Sequence, residues 1–167
     1  MKKLISAMFL SAALLPATTL AAWQTKVEDD VFTGGKKAAM AVLTDDKSTQ
    51  HGLMFECNKN DLSFAYVEKG TFREAKANMA ADLLIKIDEG EVVTLPIVYQ
   101  KRNDEYVQGK TTDKQKIVAV LKQAKTAKTK ILVGIKAGEK KTTFSTGAAN
   151  APASVAAFVN ACNLNLG

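Results

Sequence analysis

The sequence predicts a mainly β fold: an antiparallel β-sandwich with one or two short helices packed on it and one disulfide bond. Short stretches of alternating apolar and polar residues, separated by turn residues, recur along the chain from residue 22 onward. Few segments have the spacing of an amphipathic helix, so a parallel sheet with a helix between most strands is not expected. The two cysteines, Cys57 and Cys162, each lie on the apolar side of their segment.

Length and composition describe an ordinary single globular domain. The chain has 167 residues, of which 47% are hydrophobic and 24% are charged. These values exclude a disordered chain, a collagen, a coiled coil and a small disulfide-dense scaffold. One histidine and two cysteines leave little material for metal or redox chemistry, so we expect no cofactor and no metal ion.

Residues 1–21 are predicted to be a cleaved signal peptide of the bacterial Sec type. Lys2 and Lys3 precede an apolar run at residues 4–15, Pro16 ends the run, and residues 19–21 form a cleavage site of small residues. The run is too short to cross a bilayer, which needs about 20 apolar residues. No cysteine follows it, so a lipoprotein anchor is not expected. Residues 22–167 then form one periplasmic or secreted domain that does not span a membrane.

The strands are predicted from alternation and from turn residues. Eight are expected, at residues 23–27, 37–43, 51–57, 62–67, 82–88, 92–100, 130–136 and 141–146. Hairpin turns are expected at residues 58–61, 89–90 and 137–138. Pro96 cannot donate to a ladder, which predicts an edge or a bulge in its strand. The alanine-rich residues 71–81 fit a short helix or a crossover loop, and the pattern leaves that choice open.

Two helices are predicted in the second half of the chain. Thr112 and Gln115 form a capping box at the start of the first, which runs to Ala124 with an apolar stripe on one side and lysines around the remainder. The second begins near Pro152, a good residue for a first helical turn, and ends near Cys162.

Cys57 and Cys162 are predicted to form a disulfide bond. Cys57 shares the apolar face of its strand, and Cys162 lies on the buried stripe of the last helix. In an oxidising compartment such a pair forms a structural bridge rather than a reactive thiol pair, because the C-x-x-C spacing of redox sites is absent. The bridge would attach the last helix to the sheet.

The order of these elements resembles a known group of proteins. A strand opens with Trp23, another ends at Cys57, a third closes on Asp88, and a last helix ends at Cys162. This order resembles small periplasmic β-sandwich proteins of the type VI secretion-associated accessory family and the invasion-associated locus B family. The resemblance implies a disulfide-tied sandwich with an accessory, non-catalytic role, and it transfers no catalytic residue.

The residues that could support catalysis do not form a recognisable site. His51 follows a turn at the start of a strand, where an exposed histidine is expected. The acidic groups at residues 29–30, 45–46 and 88–91 lie at predicted turns or strand ends, where solvated carboxylates are common. Gly34 and Gly35 lack the remaining residues of a phosphate-binding loop. We therefore predict that the protein is not an enzyme.

Charge is distributed unevenly along the chain. Residues 22–100 carry 9 Lys/Arg and 13 Asp/Glu, a net charge of −4, whereas residues 101–141 carry 12 Lys/Arg and 4 Asp/Glu, a net charge of +8. Such a segment favours an acidic protein or an anionic envelope surface as partner, although a lysine-rich surface without a partner is the competing interpretation. Nucleic acid is not expected, because Tyr106 is the segment's one aromatic residue. The candidate basic binding face consists of Lys114, Lys116, Lys122, Lys125, Lys128 and Lys130.

Together these observations predict a non-catalytic periplasmic binding or accessory protein that acts through a protein–protein surface, in a secretion or host-interaction system. The alternative is a periplasmic inhibitor or immunity protein that neutralises a toxin or hydrolase directed at the cell wall. A rigid domain with one bridge suits that role, but the basic segment disfavours a basic target such as a lysozyme. The sequence leaves the identity of the partner open.

Overall fold

A computed structural model describes residues 21–31, 34–45, 49–59, 61–72 and 78–167 of the chain. The predicted signal peptide lies outside the described residues except for Ala21. The choice between a helix and a loop at residues 71–81 also lies largely outside them, since residues 73–77 are not described and residues 80 and 81 begin a strand.

The described residues form nine strands and two helices. In chain order these are β1 Gln24–Asp30, β2 Gly35–Asp45, β3 Gln50–Asn58, β4 Asp61–Lys69, β5 Ala80–Ile87, β6 Val93–Lys101, β7 Tyr106–Thr111, α1 Lys114–Ala124, β8 Lys130–Ala137, β9 Lys140–Gly147 and α2 Ala151–Ala161.

All nine strands belong to one antiparallel sheet, in the order β1-β2-β3-β4-β7-β6-β5-β8-β9. The prediction of a mainly β, antiparallel fold with two helices and one disulfide is confirmed. The prediction of a sandwich is not, because the strands form a single open sheet rather than two sheets packed face to face.

The strands form one sheet rather than two because of strand β7, which the sequence analysis did not predict. It pairs with β4 from Phe64↔Thr111 onward and with β6 from Val98↔Lys110 onward, so it joins the two halves of the sheet. Its alternation is weak, because Gly109 occupies a position on the core face where an apolar side chain would mark a strand. The sequence analysis therefore predicted no element there.

Pro96 does not lie in an edge strand, since β6 is central, between β7 and β5. However, the pairing of β6 with β7 covers only Val98 to Lys101, so Pro96 lies where β7 has already ended. Its missing N–H is tolerated because the ladder is one-sided at that point.

One face of the sheet, here called the inner face, carries the hydrophobic core. Met40, Phe55 and Phe64 are adjacent in register across β2, β3 and β4, and all three are fully buried. The sheet curls around this face, so that Phe144 of β9 reaches the ring of His51 in β3. The right-handed twist of a long sheet permits this closure.

Both helices cover the inner face. Helix α1 buries Ile117, Val120, Leu121 and Ala124, and α2 buries its own stripe around Phe158. The N-cap of α1 is Asp113, whose carboxylate accepts from the N–H of Lys116 at 3.2 Å. The prediction of a capping box at Thr112 and Gln115 is therefore wrong by one residue, because the cap is Asp113.

Trp23 attaches the start of the described chain to the corner between β9 and α2. Its backbone N–H donates to the carbonyl of Ala149 at 2.9 Å, and its indole N–H donates to the carbonyl of Gly147 at 3.2 Å. Its own carbonyl accepts from the side chains of Asn150 and Ser154. The opening strand predicted from Trp23 is thus anchored through buried hydrogen bonds.

Candidate functional site

The predicted disulfide bond is present. The sulfurs of Cys57 and Cys162 are joined, with Cα atoms 6.0 Å apart and a sequence separation of 105 residues. Cys57 lies near the end of β3 on the inner face, and Cys162 caps the C-terminus of α2. The bridge therefore attaches α2 to the sheet, as predicted, and the structure places α2 over the first half of the sheet. Structural disulfides of this kind are typical of oxidising, extracytoplasmic compartments.

The six lysines of the candidate basic face lie on α1 and on the chain that follows it. Five are exposed, whereas Lys116 is half-buried. At 100° per residue, Lys114, Lys122 and Lys125 lie along one side of α1, and Lys116 lies on another side. We call the five exposed residues the lysine surface: Lys114, Lys122, Lys125, Lys128 and Lys130.

No ion pair joins the lysine surface to an acidic side chain within the described part of the chain. Helix α1 contains no aspartate or glutamate. None of the five ammonium groups forms an ion pair with a described residue, whereas other lysines do, such as Lys101 with Asp104 at 2.6 Å. Five lysines beside the two carboxylates of Asp88 and Asp113 leave an excess of positive charge, which attracts anionic groups.

Asp88 holds the loop that carries the end of this surface. Its carboxylate accepts hydrogen bonds from the backbone N–H groups of Lys128, Thr129 and Lys130 at 2.8, 2.9 and 3.0 Å, and also from the Thr129 hydroxyl. The Thr129 hydroxyl and the N–H groups hold the pKa of this carboxyl well below its usual range. Asp88 thus stays ionised and acts as a structural cap for the loop.

His51 is buried, contrary to the expectation of an exposed histidine. It is 8% exposed, and its Nδ1 lies 2.7 Å from the hydroxyl of Tyr66, which in turn donates to Glu68 at 2.8 Å. The alternation of Leu53, Phe55 and Cys57 already contained this signal. Extending it two residues back places His51 on the inner face.

An open groove of about 520 Å³ lies on the opposite, outer face of the sheet, across β5, β8 and β9. Its apolar residues include Leu84, Val92 and Leu132, and its polar rim includes Lys86 and Lys141. Val92 and Leu132 are 55% and 39% exposed. The sequence analysis did not identify this groove, because its residues come from separate strands that only the sheet order brings together.

The described residues provide no metal centre. Among them, no three histidine, cysteine, aspartate or glutamate side chains are grouped so as to hold a metal ion. Neither described helix is long and apolar enough to cross a membrane.

No family model, curated protein or solved structure matches this chain. The resemblance to periplasmic accessory families therefore stays a prediction from element order.

Proposed function

We propose that this chain is a secreted or periplasmic binding protein that acts without catalysis, as an accessory component of a secretion or host-interaction system. Its partner is an acidic protein, which it contacts through the lysine surface. The observation that carries the proposal is the set of five exposed ammonium groups on α1 and the following loop, none of them paired with a described acid.

The support beneath the lysine surface is rigid. Ile117 and Leu121 anchor α1 in the core and are fully buried. Asp88 orders the loop through three backbone N–H groups. A surface that is already ordered loses little conformational entropy on binding, which favours recognition by a preformed face.

The charge of this surface indicates how recognition would proceed. A positive surface accelerates the encounter with an acidic partner and suppresses binding to basic proteins. The association rate should therefore fall steeply as the salt concentration rises, since the Debye length is about 8 Å at physiological ionic strength.

Export is consistent with the contacts at the start of the domain. Processing after Ala21 would leave Trp23 and its hydrogen bonds to Gly147 and Ala149 in the mature protein. We expect mass spectrometry of the periplasmic protein to give a mature chain that begins at Ala22. A cytosolic protein with an intact N-terminus and free thiols would contradict the proposal.

The partner experiment uses charge reversal. Cross-linking in cells identifies bound envelope proteins, and titration with the purified partner then measures affinity for the wild type and for the variant Lys114→Glu/Lys122→Glu/Lys125→Glu. The matched control reverses exposed lysines outside the lysine surface, as Lys36→Glu/Lys59→Glu/Lys69→Glu.

We expect an acidic partner whose affinity falls about tenfold or more in the first variant and changes little in the control. Equal affinity of both variants for the partner, or the absence of any specific partner at native levels, would contradict the proposal. Binding to anionic lipid vesicles with loss of all protein partners would instead assign the surface to the envelope.

The alternative function, inhibition of a toxin or hydrolase directed at the cell wall, is favoured by one observation. The Cys57–Cys162 bridge fixes α2 on the sheet, as suits a rigid inhibitor. The target would be acidic. Protection of cells against such a toxin, lost in the Lys114/Lys122/Lys125 variant, would favour this function over an accessory role.

A further inference from the structure

We propose that the free edge of β9 and the outer groove beside it form a docking site for an extended segment of a partner protein. The segment adds to the sheet as a further strand next to β9, and its residues alternate between apolar and acidic. The lysines of α1 are separate from this site, because α1 covers the inner face of the sheet and the groove lies on the outer face. Lys130 lies on the outer face of β8, two residues before Leu132 of the groove.

Strand β9 is at an end of the sheet and pairs with β8 along its whole length, from Lys130↔Gly147 to Ala137↔Lys140. On its other side, no strand pairs with it in the described part of the chain. The indole N–H of Trp23 donates to the carbonyl of Gly147, so the length of β9 that is open to a partner ends before that residue. An edge strand presents alternate N–H and C=O groups outward, and an extended peptide can pair with them.

Protection against such pairing differs between the two edges of the sheet. Edge strand β1 is charged along most of its length and includes the ion pair of Lys26 with Glu28 at 2.6 Å. In β9, residues 142–147 contain no charged residue and no proline. Charges and prolines are the usual means by which edges avoid pairing, so β9 is the open edge.

Long apolar side chains of an added strand would lie over Thr143 and Ser145 and reach into the groove, because β8 is two strand spacings, about 10 Å, from that strand. Thr143 and Ser145 of β9 lie opposite Gly134 and Leu132 of β8, so the groove begins at the outer face of the edge strand itself. Gly134 forms its floor. A Cβ there would lie 3.5 Å from the Cβ of Leu84 and 3.6 Å from the Cε of Lys141, so the missing side chain creates the depression.

Lysines determine the charge of the occupant. Lys86 and Lys141 line the groove, and Lys136 lies opposite Lys141 in register. The acids nearby are Glu89, which is 3.9 Å from Lys86, and Asp82, which lies opposite Lys136. Among the described residues that line the groove, two are lysines and none is an aspartate or glutamate, so the rim is positive and complements acidic side chains. A second copy of this chain would instead bring its own lysines to that rim.

The test is selection from a library of displayed random peptides long enough to span β9, with the disulfide-intact full chain as bait. Peptides that also bind the Gly134→Val variant, whose groove is filled, are removed. The Cβ of Gly134→Val would meet neighbours only at ordinary contact distances, and circular dichroism with thermal unfolding checks that the whole side chain is accommodated. We expect the enriched peptides to alternate apolar and acidic residues and to slow amide exchange in β9.

Matched variants test whether the residues of the groove contribute to binding of the peptide. Leu132→Ser, in the groove, should weaken binding of a selected peptide about tenfold. The control is Val98→Ser, which should leave binding unchanged. Val98 is about as exposed as Leu132 and lies on the outer face, but outside the groove. A proline placed in the middle of the peptide should abolish binding, because it removes a backbone donor.

Several results would overturn the proposal: no enriched peptide, enrichment of basic peptides, or equal binding of the proline peptide. Concentration-dependent dimerisation without peptide that Leu132→Ser abolishes would also overturn it, since the occupant would then be a second copy. The variant Lys114→Glu/Lys122→Glu/Lys125→Glu should leave peptide binding unchanged, which separates this site from the proposed function.

Discussion

The imidazole ring of His51 in β3 stacks on the phenyl ring of Phe144 in β9, with ring centroids 4.9 Å apart and planes inclined by 16°. The two strands occupy the third and ninth positions in the sheet order, so this contact exists only because the sheet curls over its inner face. Tyr66 completes the cluster, since its ring centroid is 5.7 Å from that of Phe144.

We predict that this contact stabilises the closure of the sheet. A double-mutant cycle with His51→Ala and Phe144→Ala should give a coupling free energy of about 0.5–1.5 kcal/mol, measured by urea unfolding, because the two rings interact beyond their area of burial. The control cycle replaces Phe144→Ala with Thr143→Ala, on the other face of β9, and should be additive. Additivity of the first cycle would show that the stacking contributes nothing.

Loss of the disulfide bond should destabilise the fold without changing it. Replacement of both cysteines, Cys57→Ala/Cys162→Ala, should lower the free energy of unfolding by about 2–5 kcal/mol, because the bridge closes a loop of 105 residues in the unfolded chain. Urea unfolding of the oxidised, reduced and doubly substituted proteins provides the measurement, and the last two should agree. An unchanged midpoint on adding reductant would contradict the assignment.

Gly109 is needed for packing rather than for backbone conformation. It lies on the inner face between Tyr66 and Tyr99, and a Cβ there would lie 2.4 Å from the Cδ1 of Ile97. Gly109→Ala should therefore cost about 1–3 kcal/mol of stability, since the buried side chain of Ile97 must shift to admit the methyl group. Thermal unfolding measures the loss.

The compensating variant makes this prediction specific. Ile97→Val removes the overlapping Cδ1 and alone should cost about 0.5–1.5 kcal/mol. The double variant should be more stable than the sum of the single effects implies, because each change relieves the defect of the other. If the stability losses of Gly109→Ala and Ile97→Val were strictly additive, the overlap with the Cδ1 of Ile97 would not be the cause of the loss in Gly109→Ala.

Tyr99 should make the protein sensitive to alkali. Its burial, with a contribution from the charge of Glu68, raises its pKa from 10.0 to about 12. A group whose pKa is higher in the folded state stabilises fully below its unfolded pKa, and this stabilisation is lost as the pH rises from about 10 through about 12.

The Tyr99→Phe variant should therefore lose less stability than the wild type between pH 9 and 12, a range chosen to bracket both pKa values. Identical alkaline profiles for Tyr99→Phe and the wild type would contradict the prediction. Urea midpoints at each pH provide the data.

Asp88 should make the loop sensitive to acid. Its pKa is lowered in the folded protein, so its stabilisation is complete above the ordinary value of 3.8 and is lost as the pH falls below it. Because Asp88 has a φ of 48°, the variant Asp88→Gly removes the carboxylate without adding backbone strain. At pH 7 it should cost about 1–2 kcal/mol, as does the loss of a helix cap.

The measurement is amide exchange at Lys128, Thr129 and Lys130, which donate to Asp88. Exchange corrected for its intrinsic pH dependence should accelerate in Asp88→Gly, and Asp88→Asn, which keeps one acceptor oxygen, should lie between that variant and the wild type. Unchanged protection in Asp88→Gly would show that other contacts order the loop.

Local pattern was sufficient for most of the elements. Alternation located eight of the nine described strands, and helical spacing located both helices. The turns at Lys59, Gly90 and Gly138 follow from residues that favour reversal of the chain. The bridge followed from two cysteines that each lie on an apolar face. These features depend on neighbours within one turn or one strand, which the sequence shows directly.

The features that pattern missed are those in which a residue is defined by a distant strand. In the sequence, Gly109 resembles a loop residue. In the structure it is a strand residue that pairs with Tyr66 on one side and Tyr99 on the other. The groove around Gly134 could not be predicted either, because its lining residues come from three strands, β5, β8 and β9, that are adjacent only in the folded sheet.

By itself the sequence determined an antiparallel β protein with two helices and a bridge between Cys57 and Cys162, and it located the lysines of α1. Only the tertiary structure decided that β7 joins the strands into one curled sheet, that His51 is buried, and which strand remains an open edge. The physical reason is that alternation assigns a side chain to a face, whereas the order of strands follows from pairing between residues far apart in the chain.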